Sequence, residues 1–282
     1  MKKIITAAMP VVIFLLGLSL FLYPTVSNLY NEYKNSLLID NYTETVLDID
    51  ELDKDKYLNE AHLYNQHLYD NARLEELGLN YENVLNMYGN GIMGYIEIPK
   101  ISVKLVIYHT VNDDLLQNAI GHVEESSLPV GGKSTHAVLA GHRGLPSAKL
   151  LTNIDQLKIG DNFYIHILDE VLQYRVDDIS VVEPDEVSRL RIQSGKDHVT
   201  LVTCTPYGVN SHRLLVRGER VPDDEVVYNG NMLNVSDDIF HINPIYIVPV
   251  SLVALALLLL AVRKIKDGKR KKSGDDNEKQ NS

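Results

Sequence analysis

TLVTCTPYGVNSHRLLVRGER (residues 200–220) is two strand-forming runs around a turn. Thr200, Leu201, Val202 and Thr203 are β-branched or apolar. Pro206, Tyr207 and Gly208 form a turn signal, and HRLLVRGER is the next strand. An antiparallel return brings Arg213 back beside Cys204. Cys204 is the only cysteine in the 282-residue chain. It stands where the first strand ends and a loop opens, whereas a packing cysteine lies more often within a strand.

The same texture extends outward. From Gly89 on, GNGIMGYIEIPKISVKLVIYH, HAVLAGHRG, DNFYIHIL, VLQYRVDDISVVEP and HVTLVTCTP are short runs rich in β-branched and aromatic residues, separated by Gly, Pro, Asp and Asn. Six to eight such strands without a repeated helix predict a mainly β fold, an antiparallel barrel or sandwich, over residues 89–228. LPSAKLLTNIDQL, between two of the runs, is read as one short helix. Residues 24–88 read as a polar helical segment. In it Tyr57, Ala61, Tyr64 and Leu68 form an apolar stripe at helical spacing, and LDIDELDKDK is a solvated turn or helix start.

Two stretches are not domain material. Residues 4–23 and 245–262 are nearly continuous apolar runs, each close to the ~20 residues that cross a bilayer. FLYPTV follows the first in place of a small-residue cleavage site, so residues 1–23 read as an uncleaved signal anchor. Lys2 and Lys3 precede it, and RKIKDGKRKK follows the second run. Positive flanks stay cytoplasmic. Both termini are therefore expected inside and residues 24–244 outside, with 229–244 a linker and 263–282 a basic cytoplasmic tail in contact with membrane lipid. Ten of the 27 basic and four of the 38 acidic side chains lie outside residues 24–244. The outer part keeps 17 basic and 34 acidic groups and a net charge near −17, which argues against a nucleic-acid partner.

A lone cysteine in an exported chain is either inert and buried or a reactive thiol. A nucleophilic thiol needs a neighbouring base or cation to ionise it and a donor to hold the oxyanion it creates. Arg213, near the turn, suits the donor role. Arg217 shares its face but has a surface acid pair as its rival reading. Among ten histidines, His142 stands out, because it too ends an apolar strand and is followed by a loop, Arg143-Gly144-Leu145-Pro146. His212 is the runner-up; His122 and His136 are less clearly placed. One cysteine and no His-x-x-x-His pair at helical spacing disfavour zinc, and no phosphate-binding or dinucleotide fingerprint is present. No metal and no cofactor is expected.

TLVTCTPYGVNSHR resembles the TLxTC signature and downstream arginine of the sortases, cysteine transpeptidases of Gram-positive bacteria. AGHRGLPSAK resembles their histidine segment and NGIMGYIEIPKI the start of their barrel, so the likeness covers residues 89–221. The wording around Arg213 and the second apolar run are similar to class C, the pilin-polymerising branch. The resemblance implies an eight-stranded sortase β-barrel, with an N-terminal helical segment and two flanking transmembrane helices. It implies Cys204 as nucleophile, His142 as general acid/base and Arg213 as the residue that orients substrate and stabilises the oxyanion. Leu145, Thr205 and Arg143 are candidate substrate contacts, although Arg143 also reads as a structural loop residue. The implied substrate is a pilin or surface protein with an LPxTG-like sorting signal, and the implied acceptor is a lysine of a second pilin. An anchoring enzyme that uses a peptidoglycan amine as acceptor is the alternative. A non-catalytic membrane-tethered binding domain, with Cys204 buried, is the reading from outside enzymology. One departure stands out: residues 25–98 contain no proline and the chain no tryptophan. The Asp-Pro-aromatic lid motif of class C enzymes is therefore absent, Tyr69-Asp70-Asn71 being at most a remnant, and deleting residues 40–80 is expected not to raise hydrolysis.

Overall fold

A computed structural model describes residues 2–70 and 78–226. The 245–262 run, the linker before it and the basic tail lie outside the described residues.

Two helices precede the barrel. α1 (Lys2–Asp48) is continuous across the expected boundary at residue 23, with Pro10 and Pro24 inside it. α2 (Glu51–Tyr69) starts after a turn at Asp50, where the LDIDELDKDK stretch places a helix start. Its predicted stripe is real: Ala61 and Tyr64 are buried, and Tyr57 and Leu68 pack against the core. A second stripe escaped the sequence reading. Asn31, Asn35, Ile39, Tyr42 and Val46 recur every three or four residues of α1 and are all buried against the barrel. Its membrane-side half is asparagine, which hides it from an apolar-periodicity search.

Eight strands follow: β1 (Ile92–Ile98), β2 (Val103–Tyr108), β3 (Ile120–His122), β4 (Thr135–Ala140), β5 (Asn162–Ile167), β6 (Glu170–Val182), β7 (Asp197–Thr205) and β8 (His212–Arg220). They close into a barrel in the order β1-β2-β3-β4-β7-β8-β6-β5. The barrel is mixed, not antiparallel as expected. β2 pairs with β3 in parallel, and β4 pairs with β7 in parallel from Thr135↔Asp197 to Ala140↔Val202. Parallel neighbours need a long crossover, and here β5 and β6 are that crossover. The consequence is geometric: the C-terminal ends of β4 and β7 emerge at one rim.

The stretch LPSAKLLTNIDQL is not an α-helix. It forms turns and a single 3₁₀ turn (Ile154–Gln156), with Leu150 at a positive φ. Leu150, Leu151, Ile154 and Leu157 are all buried. The segment folds around its leucines as a loop plug, a packing that a regular helix face would not give. β1, β2 and β4 are buried along nearly their whole length. The reason is cover on both faces. The barrel core lies inside, α1 lies over β1 and β2, and Asn65 of α2 exchanges hydrogen bonds with the backbone of Leu128 outside β4 (3.0 and 2.7 Å). Tyr42 ties α1 to two strands at once, since its hydroxyl donates to Met93 O (3.1 Å) and accepts from Leu168 N (2.7 Å). Burial pushes the Tyr42 phenol far above its ordinary pKa.

Candidate active site

β7 ends at Thr205 with Cys204 beside it, and β8 begins at His212. The hairpin register pairs Cys204 with Arg213 and Thr205 with His212. Directly opposed residues project to the same face, so the thiol and the guanidinium are neighbours on one side of the sheet. Cys204 is free and half-buried, not sealed in the core.

On the other side of β7 lies β4. Beyond Ala140↔Val202, the Gly141 amide donates to Val202 O (3.1 Å) and the Gly141 carbonyl accepts from Thr203 Oγ1 (2.8 Å). Both backbone groups of Gly141 are thus tied to β7. β4 ends at Ala140, and these ties carry the chain on toward the end of β7, with His142 following directly after Gly141. Gly141 has to be glycine, because a Cβ there would lie 2.8 Å from Ile120 and 3.0 Å from Leu151. The thiol therefore has Arg213 opposite it on β8, while His142 follows the Gly141 tie on the β4 side. The His142 Nε2 is buried and has no hydrogen-bond partner among the described residues.

The two arginines of β8 separate cleanly. Arg217 makes a two-point pair with Asp177 (3.1 and 2.7 Å), which raises its pKa, so the surface-acid reading holds for it. Arg213 donates only to the carbonyls of Asn210 (3.3 Å) and His212 (3.1 Å) and has no carboxylate partner among the described residues. The rival histidines are occupied. His212 faces Glu183 (3.2 Å). His136 bonds Thr200 Oγ1 (2.7 Å) and Arg191 O (3.1 Å), and His122 bonds Ser127 O (2.8 Å). Burial lowers both to about 4.

Arg143 spends its donors on structure. Its Nη2 meets Asp155 (2.6 Å), Nε donates to Thr152 O (3.1 Å), and Nη1 approaches Thr205 Oγ1 (3.4 Å). It ties the loop after His142 to the 3₁₀ turn and to the end of β7. Gly144 adds a second tie: it has φ +81°, and a Cβ there would meet the Tyr207 ring at 2.9 Å. Thr205 and Leu145 are half-buried at the same rim, Leu145 packing against the core. The ties from Asp155, Thr152 and Tyr207 were not visible in the sequence, because they join residues of no distinctive type.

The second helix, α2, docks away from this rim. The α2 contacts of Asn65 with Leu128, Lys54 with Asp169 (3.5 Å) and Tyr69 with Ser194 (3.2 Å) lie toward the N-terminal ends of β4 and β7. Tyr69 is therefore held at the opposite rim rather than over Cys204. Deleting residues 40–80 would also strip Tyr42, Ala61, Tyr64 and Asn65 from the interior, so lost activity after that deletion would report unfolding.

A closed mixed barrel with a free thiol near the end of β7, a guanidinium opposite it on β8 and an imidazole just past the end of β4 has the parts of a cysteine acyl-transfer enzyme. Comparison with known proteins makes this specific. The sortase domain model matches residues 96–221. The crystal structure of sortase C1 from Streptococcus agalactiae is 49% identical, covers 66% of this chain and 99% of its own, and superposes with a TM-score of 0.63. Sortase C of Streptococcus pneumoniae, described with reference to pilin substrate specificity, is 43% identical, with coverage of 66% and 96% and a TM-score of 0.60. Sortase C of Clostridium perfringens, solved with the C-terminal cell wall sorting motif, is 43% identical, with coverage of 66% and 99% and a TM-score of 0.59. The chain belongs to the sortase family of cysteine transpeptidases and is most like its class C members.

Proposed function

We propose that this protein is a membrane-anchored transpeptidase that joins pilin subunits through a Cys204 acyl-enzyme. Two features support the reading: Cys204 lies directly opposite Arg213 on β7 and β8, and Gly141, the residue before His142, is tied to Val202 and Thr203 of β7. The Cys204 sulfur attacks the carbonyl carbon of the Thr–Gly bond in an LPxTG-like sorting signal. Arg213, which has no carboxylate partner among the described residues, offers its donors to the oxyanion that forms. The C–N bond breaks as His142 gives a proton to the leaving amine, and a thioester remains. The ε-amine of a lysine on a second pilin attacks that thioester. His142 takes the proton, the thiolate leaves, and an isopeptide bond is made. No cofactor enters the scheme.

Anchoring rests on the apolar half of α1, which is long and apolar enough to cross a bilayer and exposes Ile13, Phe14, Leu20 and Phe21. The run at 245–262 is proposed as a second span from the sequence alone, with residues 24–244 outside and both termini in the cytoplasm. The names of the neighbours support a pilin or another protein with a sorting motif as substrate. The test is to mix the full chain with a pilin bearing such a signal. A covalent ladder that vanishes in Cys204→Ala is the expected result. Cleavage without a ladder, while a peptidoglycan-type amine is accepted, would replace pilin joining by wall anchoring.

A further inference from the structure

The contacts of α1 fix which end of the barrel points at the bilayer. Asn28 Oδ1 accepts from the backbone N–H of Lys149 (2.7 Å), and Asn31 Nδ2 donates to Ser147 O (2.7 Å). Both partners lie on the loop that follows His142. Asn35 Nδ2 donates to Asn118 O (2.7 Å), just before β3, whose start packs against Gly141. Fourteen residues beyond Asn28, Tyr42 reaches Met93 and Leu168 at the opposite rim. At 1.5 Å per residue this span is about 21 Å, close to the height of a small barrel. The helix therefore enters from the membrane at the Cys204 rim and descends to the far rim.

We infer that the rim carrying Cys204 and His142 faces the lipid surface and rests at headgroup depth. This goes beyond the function proposed above and relies on its premise that α1 spans the membrane. Only four residues separate Tyr23 at the end of the apolar run from Asn28, five helical steps or about 7–8 Å. No stalk lifts the barrel away. The junction between α1 and the rim is lined by Asn28, Asn31, Glu32, Lys104 and Lys149, groups suited to the polar interface. A bend at Pro24 would tilt the barrel, but exchanging its rims would need the helix to fold back on itself. The β7–β8 turn supplies the contact: Tyr207 and Val209 are 60% and 69% exposed and sit at the tip of this rim. An aromatic and an aliphatic side chain on a loop tip fit the interface between headgroups and acyl chains.

The test uses the full chain in phosphatidylcholine–phosphatidylglycerol vesicles, in a Cys204→Ala background with one introduced thiol. Val209→Cys reports on the Cys204 rim and Lys133→Cys on the opposite rim, where β4 begins; both positions are exposed. Each carries the same fluorophore, and the lipid carries a headgroup-attached quencher. Quenching several-fold stronger at 209 than at 133 is expected. Equal quenching, or stronger quenching at 133, in protein that floats with the vesicles overturns the orientation alone. Protein that does not float overturns the anchoring reading and the orientation with it.

Discussion

Replacing Arg143 by methionine keeps most of the side-chain volume and removes every donor. Three interactions are lost. The Asp155 pair is short (2.6 Å), but Asp155 is half exposed, so the pair contributes about 0.5–1 kcal/mol. The bond to the Thr152 carbonyl comes from a charged donor and contributes about 1.5 kcal/mol. The 3.4 Å approach to Thr205 is too long to add much. About 2 kcal/mol thus holds the loop after His142 against the 3₁₀ turn and the end of β7. Arg143 acts here as a positioning residue. If that energy keeps the imidazole level with the thiol, its loss lowers kcat by about 10- to 30-fold, with KM nearly unchanged. Global stability falls by no more than about 2 kcal/mol, because the barrel strands are untouched. The assay is steady-state cleavage of a sorting-signal peptide, with urea unfolding in parallel. Arg143→Lys, which keeps a charge for Asp155, should recover part of kcat. An unchanged kcat with a raised KM would refute the reasoning and restore Arg143 as a substrate contact.

The barrel should lose stability in acid. His122 and His136 are held near 4 by burial, so between about 6.5 and 4 the unfolded chain binds protons that the folded one refuses; at pH 5 each costs about 2 kcal/mol relative to neutral pH. His198 is shifted the same way by burial; urea midpoints that do not drop from pH 7.5 to 5, or a slope that fails to shrink in His136→Gln, would contradict this. Tyr42→Phe should cost about 2–3 kcal/mol by stranding the Leu168 amide and the Met93 carbonyl in the α1 interface, and a urea midpoint within error of the parent would show that water replaces the hydroxyl.

Much of the site could be read locally. Strand signals on both sides of a turn, a lone cysteine at a strand end and a histidine at another each depend on a few neighbouring residues. The register Cys204↔Arg213 follows from the hairpin, so the position of the turn alone favours Arg213 over Arg217. The His142 placement was different. Nothing local says that β4 and β7 run in parallel, since 56 residues and two other strands separate Ala140 from Asp197. The LPSAKLLTNIDQL loop misled for a related reason: leucines at near-helical spacing pack equally well as a plug when a barrel offers them a hole. The docking stripe of α1 was missed because its first members are asparagines, whose partners are backbone groups distant in sequence.

By itself the sequence determined what depends on short-range chemistry: two bilayer-length apolar runs, an acidic β-rich stretch between them, and a lone cysteine at a strand end. Only the tertiary structure decided how the strands cross, that Arg217 and not Arg213 carries an acid pair among the described residues, and which rim the first half of α1 docks on. The physical reason is that polar burial and strand order are settled by partners far along the chain. Periodicity reports a face, but not what covers it.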